Sequence, residues 1–251
     1  MPCGIRLAPR RPIEPRTHRR LQREWMCDER EHVIEGPLRP GESAVDWPGI
    51  FGGARPLHCE IGSGRGAFAL DFAAREEVNL VAIEQRRSDA EDLRRRRDAR
   101  GLKNLEVLQG DARLLLPRLF VPGSVAAFHL HCPDPWWKNR HHRRRLFADD
   151  FGLWLYRLLR VGGELDLRTD VRAYAAAMVE TCEEVLGFEN AAGPGAERSA
   201  QGLVLSSRER RYQATGQRVF RYLYRRPDRP PLTESAAGSR RRRGWTDVRR
   251  R

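Results

Sequence analysis

The residues best equipped for chemistry lie together in the middle of the chain: Cys132, Pro133, Asp134, Pro135, Trp136, Trp137, Lys138, Asn139, Arg140, His141, His142, Arg143, Arg144 and Arg145. A carboxylate held between two prolines is a polar handle for a base edge. Two indoles offer flat surfaces for stacking, and the cations behind them suit a phosphate backbone. Trp136 and Trp137 could equally brace the loop by packing. His141 and His142 have no Cys or acidic partner at ligand spacing, so no metal is expected.

A second group lies upstream. Gly62, Gly64 and Gly66 form a Gly-x-Gly-x-Gly turn, in which the missing side chains let a backbone approach a ligand closely. Amides at the start of the following helix favour negative charge. The turn is one residue shorter than the dinucleotide fingerprint, and Glu60 stands just before it. A carboxylate there would repel a pyrophosphate but attract the ammonium or sulfonium of S-adenosylmethionine. Glu84 is suited to both hydroxyls of a ribose, and Asp111 to the amino group of adenine.

Alternating elements must position these groups. Leu57 to Ile61 reads as a strand running into the glycine turn, followed by a helix carrying Phe68, Leu70, Phe72 and Ala73. Leu80 to Glu84 is a second buried strand, followed by a charged helix through Arg100 that Gly101 can end. Leu105 to Gln109 is a third strand, leading to Asp111 and a short helix stopped near Pro117. Ser124 to His131 makes a fourth, with the Pro-Asp-Pro loop at its carboxyl end. A helix from about Arg144 to Leu159 follows, then a strand from Glu164 to Thr169. Asp170 is expected to cap a helix ending near Gly187, and Gln217 to Arg226 reads as a last, antiparallel strand. The expected fold is α/β: a doubly wound, Rossmann-like sheet in three layers, mostly parallel. Ligands of such sheets sit at the strand carboxyl ends, where sequence order gathers Glu60, Glu84, Asp111, Asp134 and Asp170.

Composition bounds the rest. The net charge of +13 is concentrated at the ends, with six Arg against Glu14 in residues 1–20 and seven Arg against Asp247 in residues 240–251. The body is therefore nearly balanced, and the ends suit a polyanion. The expected organisation is a basic, Pro/Arg-rich, partly disordered extension over 1–54, a catalytic domain over 55–226 and an Arg-rich disordered tail over 227–251. No apolar run is long enough for a membrane span, and the arginines near the start have no apolar segment behind them for a secretory signal. The five cysteines are odd in number and scattered, as in a reduced, cytoplasmic protein. Nothing fixes the oligomeric state, and a monomer is the default expectation.

Pro133-Asp134-Pro135-Trp136, followed by Lys138 and the basic run to Arg145, resembles the mark of the bacterial tRNA (guanine-N7)-methyltransferases, within the class I S-adenosylmethionine-dependent methyltransferases. The match covers roughly residues 57–225 and includes Thr169-Asp170 with Tyr174. The resemblance implies methylation of N7 of a variable-loop guanine in tRNA, giving 7-methylguanosine. It also implies that Glu60, Glu84, Asp111 and Asp134 hold the cofactor, with Asp134 at the catalytic centre. Lys138, Asp170 and the segment Ser206 to Glu209 match substrate-binding positions, and Arg140, Arg143 and Arg144 are expected on phosphates. Cys132 replaces the family's usual Phe, and Ser206 its usual Thr. Ser63 and Arg65 also differ from the common turn residues.

Three other readings compete. Exocyclic-amine methyltransferases of nucleic acids carry an (Asp/Asn)-Pro-Pro-aromatic loop, and the order here differs. A non-catalytic RNA-binding protein on a degenerate methyltransferase fold has no need of the intact acidic set. An NAD-dependent dehydrogenase is disfavoured by the short turn and Glu60.

Overall fold

The structure, a computed structural model, describes residues 45–134, 146–147 and 149–232. The segment from Pro135 to Arg145, with Trp136, Trp137, Lys138, Arg140, Arg143 and Arg144, lies outside them, as do the basic ends. The described elements are α1 (Trp47–Phe51), β1 (Leu57–Ile61), α2 (Ala67–Arg75), β2 (Asn79–Glu84), α3 (Arg87–Ala99), β3 (Leu105–Gln109) and α4 (Ala112–Leu119). There follow β4 (Val125–His131), α5 (Asp149–Leu158), β5 (Leu159–Thr169), α6 (Arg172–Val179) continuing as a π-helical stretch (Glu180–Leu186), β6 (Glu189–Asn190), α7 (Ser207–Thr215) and β7 (Phe220–Arg225).

The strands form one sheet in the order β3-β2-β1-β4-β5-β7-β6. The first five are parallel, while β7 runs antiparallel to β5, and β6 antiparallel to β7. The expected sheet and its antiparallel last long strand are both present; the two-residue β6 beyond it was not legible. Every residue of β2 and β4 is buried, as expected for strands covered on both faces by crossover helices.

Side chains alternate between the faces. Cys59, Ile61, Val81, Ile83, Phe128, Leu130, Leu165 and Leu167 join one apolar core with Leu116, Leu155 and Met178 of α4, α5 and α6. On the other face, Leu80, Ala82, Leu105 and Val107 pack with Leu70, Ala73 and Leu93 of α2 and α3. Across β1, β4 and β5 that second face is polar: His58, Glu60, His129, His131, Asp166 and Arg168.

Several boundaries shift. Val45 and Trp47 are buried, and the Trp47 indole donates to Leu119 O at 3.1 Å and stacks on Phe120. The aromatic contact draws residues 45–51 into the domain, ahead of the expected start at 55. At the other end, the Tyr156 hydroxyl donates to Arg229 O at 2.6 Å and Leu232 N to Leu186 O at 3.3 Å, so packing continues to Leu232. α4 runs two residues past Pro117 to Leu119. β5 starts at Leu159, before the expected Glu164.

Asp170 is not a helix cap. The cap position of α6 is Val171, without a side-chain bond, and the Thr169 hydroxyl accepts from Val171 N instead. Asp170 is turned to α7, where the Tyr212 hydroxyl donates to its Oδ2 at 2.8 Å.

Candidate functional site

Strand order reverses between β1 and β4, and crossover helices leave opposite faces there, so a crevice opens at the carboxyl ends. The cleft has a volume of about 670 Å3, within the range of small-molecule sites. Each parallel strand from β1 to β4 sends its following turn to the wall: Gly62 and Gly64, then Glu84 and Arg86, then Gly110 and Asp111, then His131 to Asp134. Arg208 of α7 closes one side.

The glycine turn is built for a neighbour. Gly62, Gly64 and Gly66 have φ of 77°, 53° and 77°, values L side chains rarely adopt. Their reasons differ. A Cβ at Gly62 or Gly64 would meet nothing within 4 Å, whereas one at Gly66 would lie 2.0 Å from Leu93 Cδ1. The first two keep the cleft open, and the third lets α3 pack against the turn.

Glu84 ties the turn down. Its Oε2 accepts from Gly64 N at 2.7 Å and its Oε1 from Arg86 N at 2.8 Å, leaving further lone pairs for hydroxyls in the cleft. Asp111 caps α4 through Arg113 N and is gripped by the Arg113 guanidinium, whose pKa this carboxylate raises. Glu60 is 2% exposed, and its Oε2 has no partner among the described residues. Burial pushes its pKa up to about 8, with Arg168 opposing and Glu84 adding to the rise.

Asp134 stands at the mouth with its side chain largely exposed, 4.0 Å from the Arg208 guanidinium. The turn before it is strained. Cys132, at φ 48°, is the one non-glycine with positive φ among the described residues, a conformation found where function over-determines the backbone. It is held from both sides: Cys132 N donates to Arg168 O at 2.7 Å, and Arg208 donates to Cys132 O at 3.1 Å. The thiol packs with Tyr212 and Val219, which accommodates Cys in place of the family's Phe. Burial, then Asp170 and Glu209, push its pKa up to about 12, so it stays a thiol.

Ser206 and Glu209, expected on substrate, are occupied within the protein. They form a reciprocal capping box at the start of α7. Glu209 is 1% exposed and receives Arg168 and Arg221, each at 3.0 Å. Arg208, between them, is the member of that segment that reaches the cleft. Sequence reading took it only as part of the Ser206 to Glu209 segment, with no role of its own, although it stands in the first turn of a capped helix. Asp170 is not part of the cleft wall, but it lies close enough to raise the Cys132 thiol, and its Oδ1 is buried without a partner among the described residues.

Behind the wall, Arg168 donates to Asp166 at 3.1 and 2.6 Å. Burial would raise the Asp166 pKa, but Arg168 and His131 hold it well below the carboxylate range. His129, His131 and Asp166 bring possible ligand atoms within 4.8 Å of one another. A metal ion there would meet Arg168 on the same oxygen, with Arg198 3.7 Å away, so charge opposes one.

A family model described as "Putative methyltransferase" matches residues 54–222. The tRNA (guanine-N(7)-)-methyltransferase of Anaeromyxobacter dehalogenans (strain 2CP-C) is 56% identical over 180 residues, 70% of this chain and 89% of that protein. The protein of the same name from Myxococcus xanthus (strain DK1622) is 44% identical over 182 residues, 72% and 88% of the two chains. One from Geobacter metallireducens is 33% identical over 193 residues, 75% and 92%.

Proposed function

Because the chain belongs to the tRNA (guanine-N7)-methyltransferase family, we propose that its cleft methylates N7 of a guanine in tRNA, with S-adenosylmethionine as cofactor. The observation that carries this reading is the cleft at the β1/β4 reversal, with the Glu84-tied glycine turn at one end and Asp134 at the other.

The residues present fit the cofactor. The open space over Gly62 and Gly64 admits a ligand against the backbone, and the orphaned Oε2 of Glu60 suits an ammonium. Glu84 would take the ribose hydroxyls and Asp111 the adenine amine, with Arg113 fixing the carboxylate. When bound, S-adenosylmethionine supplies an electrophilic methyl group on a sulfonium centre.

Guanine N7 carries a lone pair and no proton, so the protein need not provide a general base. Its task is to orient the base edge and exclude competing approaches. Asp134 accepts from the N1 and N2 hydrogens of guanine and offsets the positive charge that develops on the purine. Arg208, on Cys132 O, holds the strained turn that aims Asp134. Lys138, Arg140, Arg143 and Arg144 would bind phosphates along the RNA, and Asp170 lies beside the path of the target nucleotide. Ser206 and Glu209 act indirectly, by fixing the helix that presents Arg208.

Incubating tRNA with labelled cofactor and digesting it to nucleosides tests the reading. 7-Methylguanosine is expected, mapping to the variable loop, and N6-methyladenosine would overturn it. Asp134→Asn should lower turnover by about 10²-fold or more, the scale of losing one stabilising group for developing charge. An unchanged rate would remove the role given to Asp134.

A further inference from the structure

Beneath the glycine turn, two buried acceptors on neighbouring strands find no donor among the described residues. Glu60 lies opposite His129, and Ile61 opposite Leu130, in the parallel β1/β4 pair. Alternation therefore puts Glu60, His129 and His131 on one face and sets Gly62 beside His131. Glu60 is 2% and His131 8% exposed. Glu60 Oε2 and His131 Nδ1 both lack a partner among the described residues, and a buried polar atom left unpaired carries the full cost of its desolvation. His131 also forms part of the cleft wall.

The state of His131 is set from behind. Its Nε2 lies 3.3 Å from Asp166 Oδ2, and Asp166 is kept ionised by Arg168. A carboxylate only accepts, so Nε2 carries the proton and Nδ1 presents its lone pair. Burial, then Arg168, lower the His131 pKa to about 4, and the ring stays neutral. Phe68 meets the ring edge-on at 4.5 Å between centroids and fixes its plane. Glu209 on α7 holds Arg168 from its far side, so the relay from α7 to the cleft wall is continuous.

We propose that His131 is a binding residue for the methyl donor: its Nδ1 accepts a hydrogen bond from the donor's α-ammonium, beside the Glu60 carboxyl, while Asp166 and Arg168 fix the tautomer. The inference rests on the cofactor reading above. A carboxyl and a neutral ring nitrogen on adjacent strands suit a cation with several N–H groups. Ribose and adenine are served from β2 and β3, which leaves the β1/β4 end for the amino-acid part. The guanine edge meets Asp134 at the exposed mouth, away from the buried Nδ1.

Calorimetry on the full chain tests this with S-adenosylhomocysteine and with its analogue lacking the α-amino group. The unaltered protein should prefer the amino compound. His131→Phe should shrink that preference about tenfold, and His131→Asn, whose side-chain oxygen can stand near the Nδ1 position, should keep most of it. Equal weakening of both ligands in His131→Phe, or an unchanged preference, would overturn the assignment. If the unaltered protein binds neither ligand, the cofactor reading itself falls, and this inference with it. Should His131→Phe fail to fold, the 15N resonance of Nδ1 in the unaltered protein decides. It should move with S-adenosylhomocysteine and stay still with the deamino analogue; any other pattern would overturn the assignment.

Discussion

Across β1, β4 and β5, the two faces of the sheet are made by alternate residues of the same strands yet differ in kind. One face carries Cys59, Ile61, Phe128, Leu130, Leu165 and Leu167, buried in a continuous apolar core. The other carries Glu60, His129, His131, Asp166 and Arg168, almost as deeply buried, with His58 partly exposed at its end. The apolar face holds the fold by area removed from water, without direction. The polar face holds charge in fixed directions, and it is tolerated because Arg168 joins Asp166 to Glu209. One set of strands thus gives cohesion on one side and orientation on the other.

Breaking the polar face should have the largest effect. Arg168→Met leaves the Asp166 and Glu209 carboxylates buried without their main partner, and should cost about 3–5 kcal/mol in a denaturant titration. A loss below 1 kcal/mol would mean that water reaches the pair and that the face is not a fixed array. Breaking the apolar face should cost slightly less: Leu167→Ala, at a fully buried site, should lose about 3 kcal/mol. Its pH profile of stability should keep its shape, because no titratable partner is lost.

The smallest effect sharpens the contrast through pH. The pKa of Glu60 in the folded protein is raised from the ordinary 4.5 to about 8. The native state therefore holds the proton more tightly than the unfolded chain does. Its contribution to stability is complete below about 4.5 and is lost as pH rises to about 8. Glu60→Gln, which resembles the protonated form, should flatten that decline and melt a few degrees higher than the unaltered protein at pH 9. His131 works with the opposite sign. Its depressed pKa of about 4 gives stability that is present above about 6.5 and lost as pH falls toward 4. Identical melting curves for the two proteins between pH 5 and 9 would show that Glu60 is not desolvated.

Much of this was legible in the sequence, but unevenly. The order of strands and helices, the glycine turn and the carboxyl-end placement of Glu84, Asp111 and Asp134 follow from local patterns that tertiary structure left intact. Ser206 and Glu209 could be placed by sequence but not their partners: the capping box they form is local, whereas the burial of Glu209 against Arg168 and Arg221 comes from strands distant in sequence. Asp170 failed as a cap for a related reason. Thr169 serves the same backbone from one residue earlier, and the phenol of Tyr212, 42 residues away, claims the carboxylate. The histidines of β4 were read only as strand residues. What gives them a role is pairing with β5, and a single strand does not carry that information. Trp47 was assigned to the extension because its partner Phe120 is distant in sequence.

The last strand pairing has a consequence for solubility. β7 would present a bare edge of amides and carbonyls to any other extended chain, the usual template for aggregation. Here β6 covers it for only two residues, after which Ala191 N donates to Leu223 O and Arg198 N to Arg221 O. An irregular, glycine- and proline-bearing segment thus occupies the outward hydrogen-bonding positions without offering a regular edge of its own. The sheet therefore offers little regular edge for strand addition at this side of the domain.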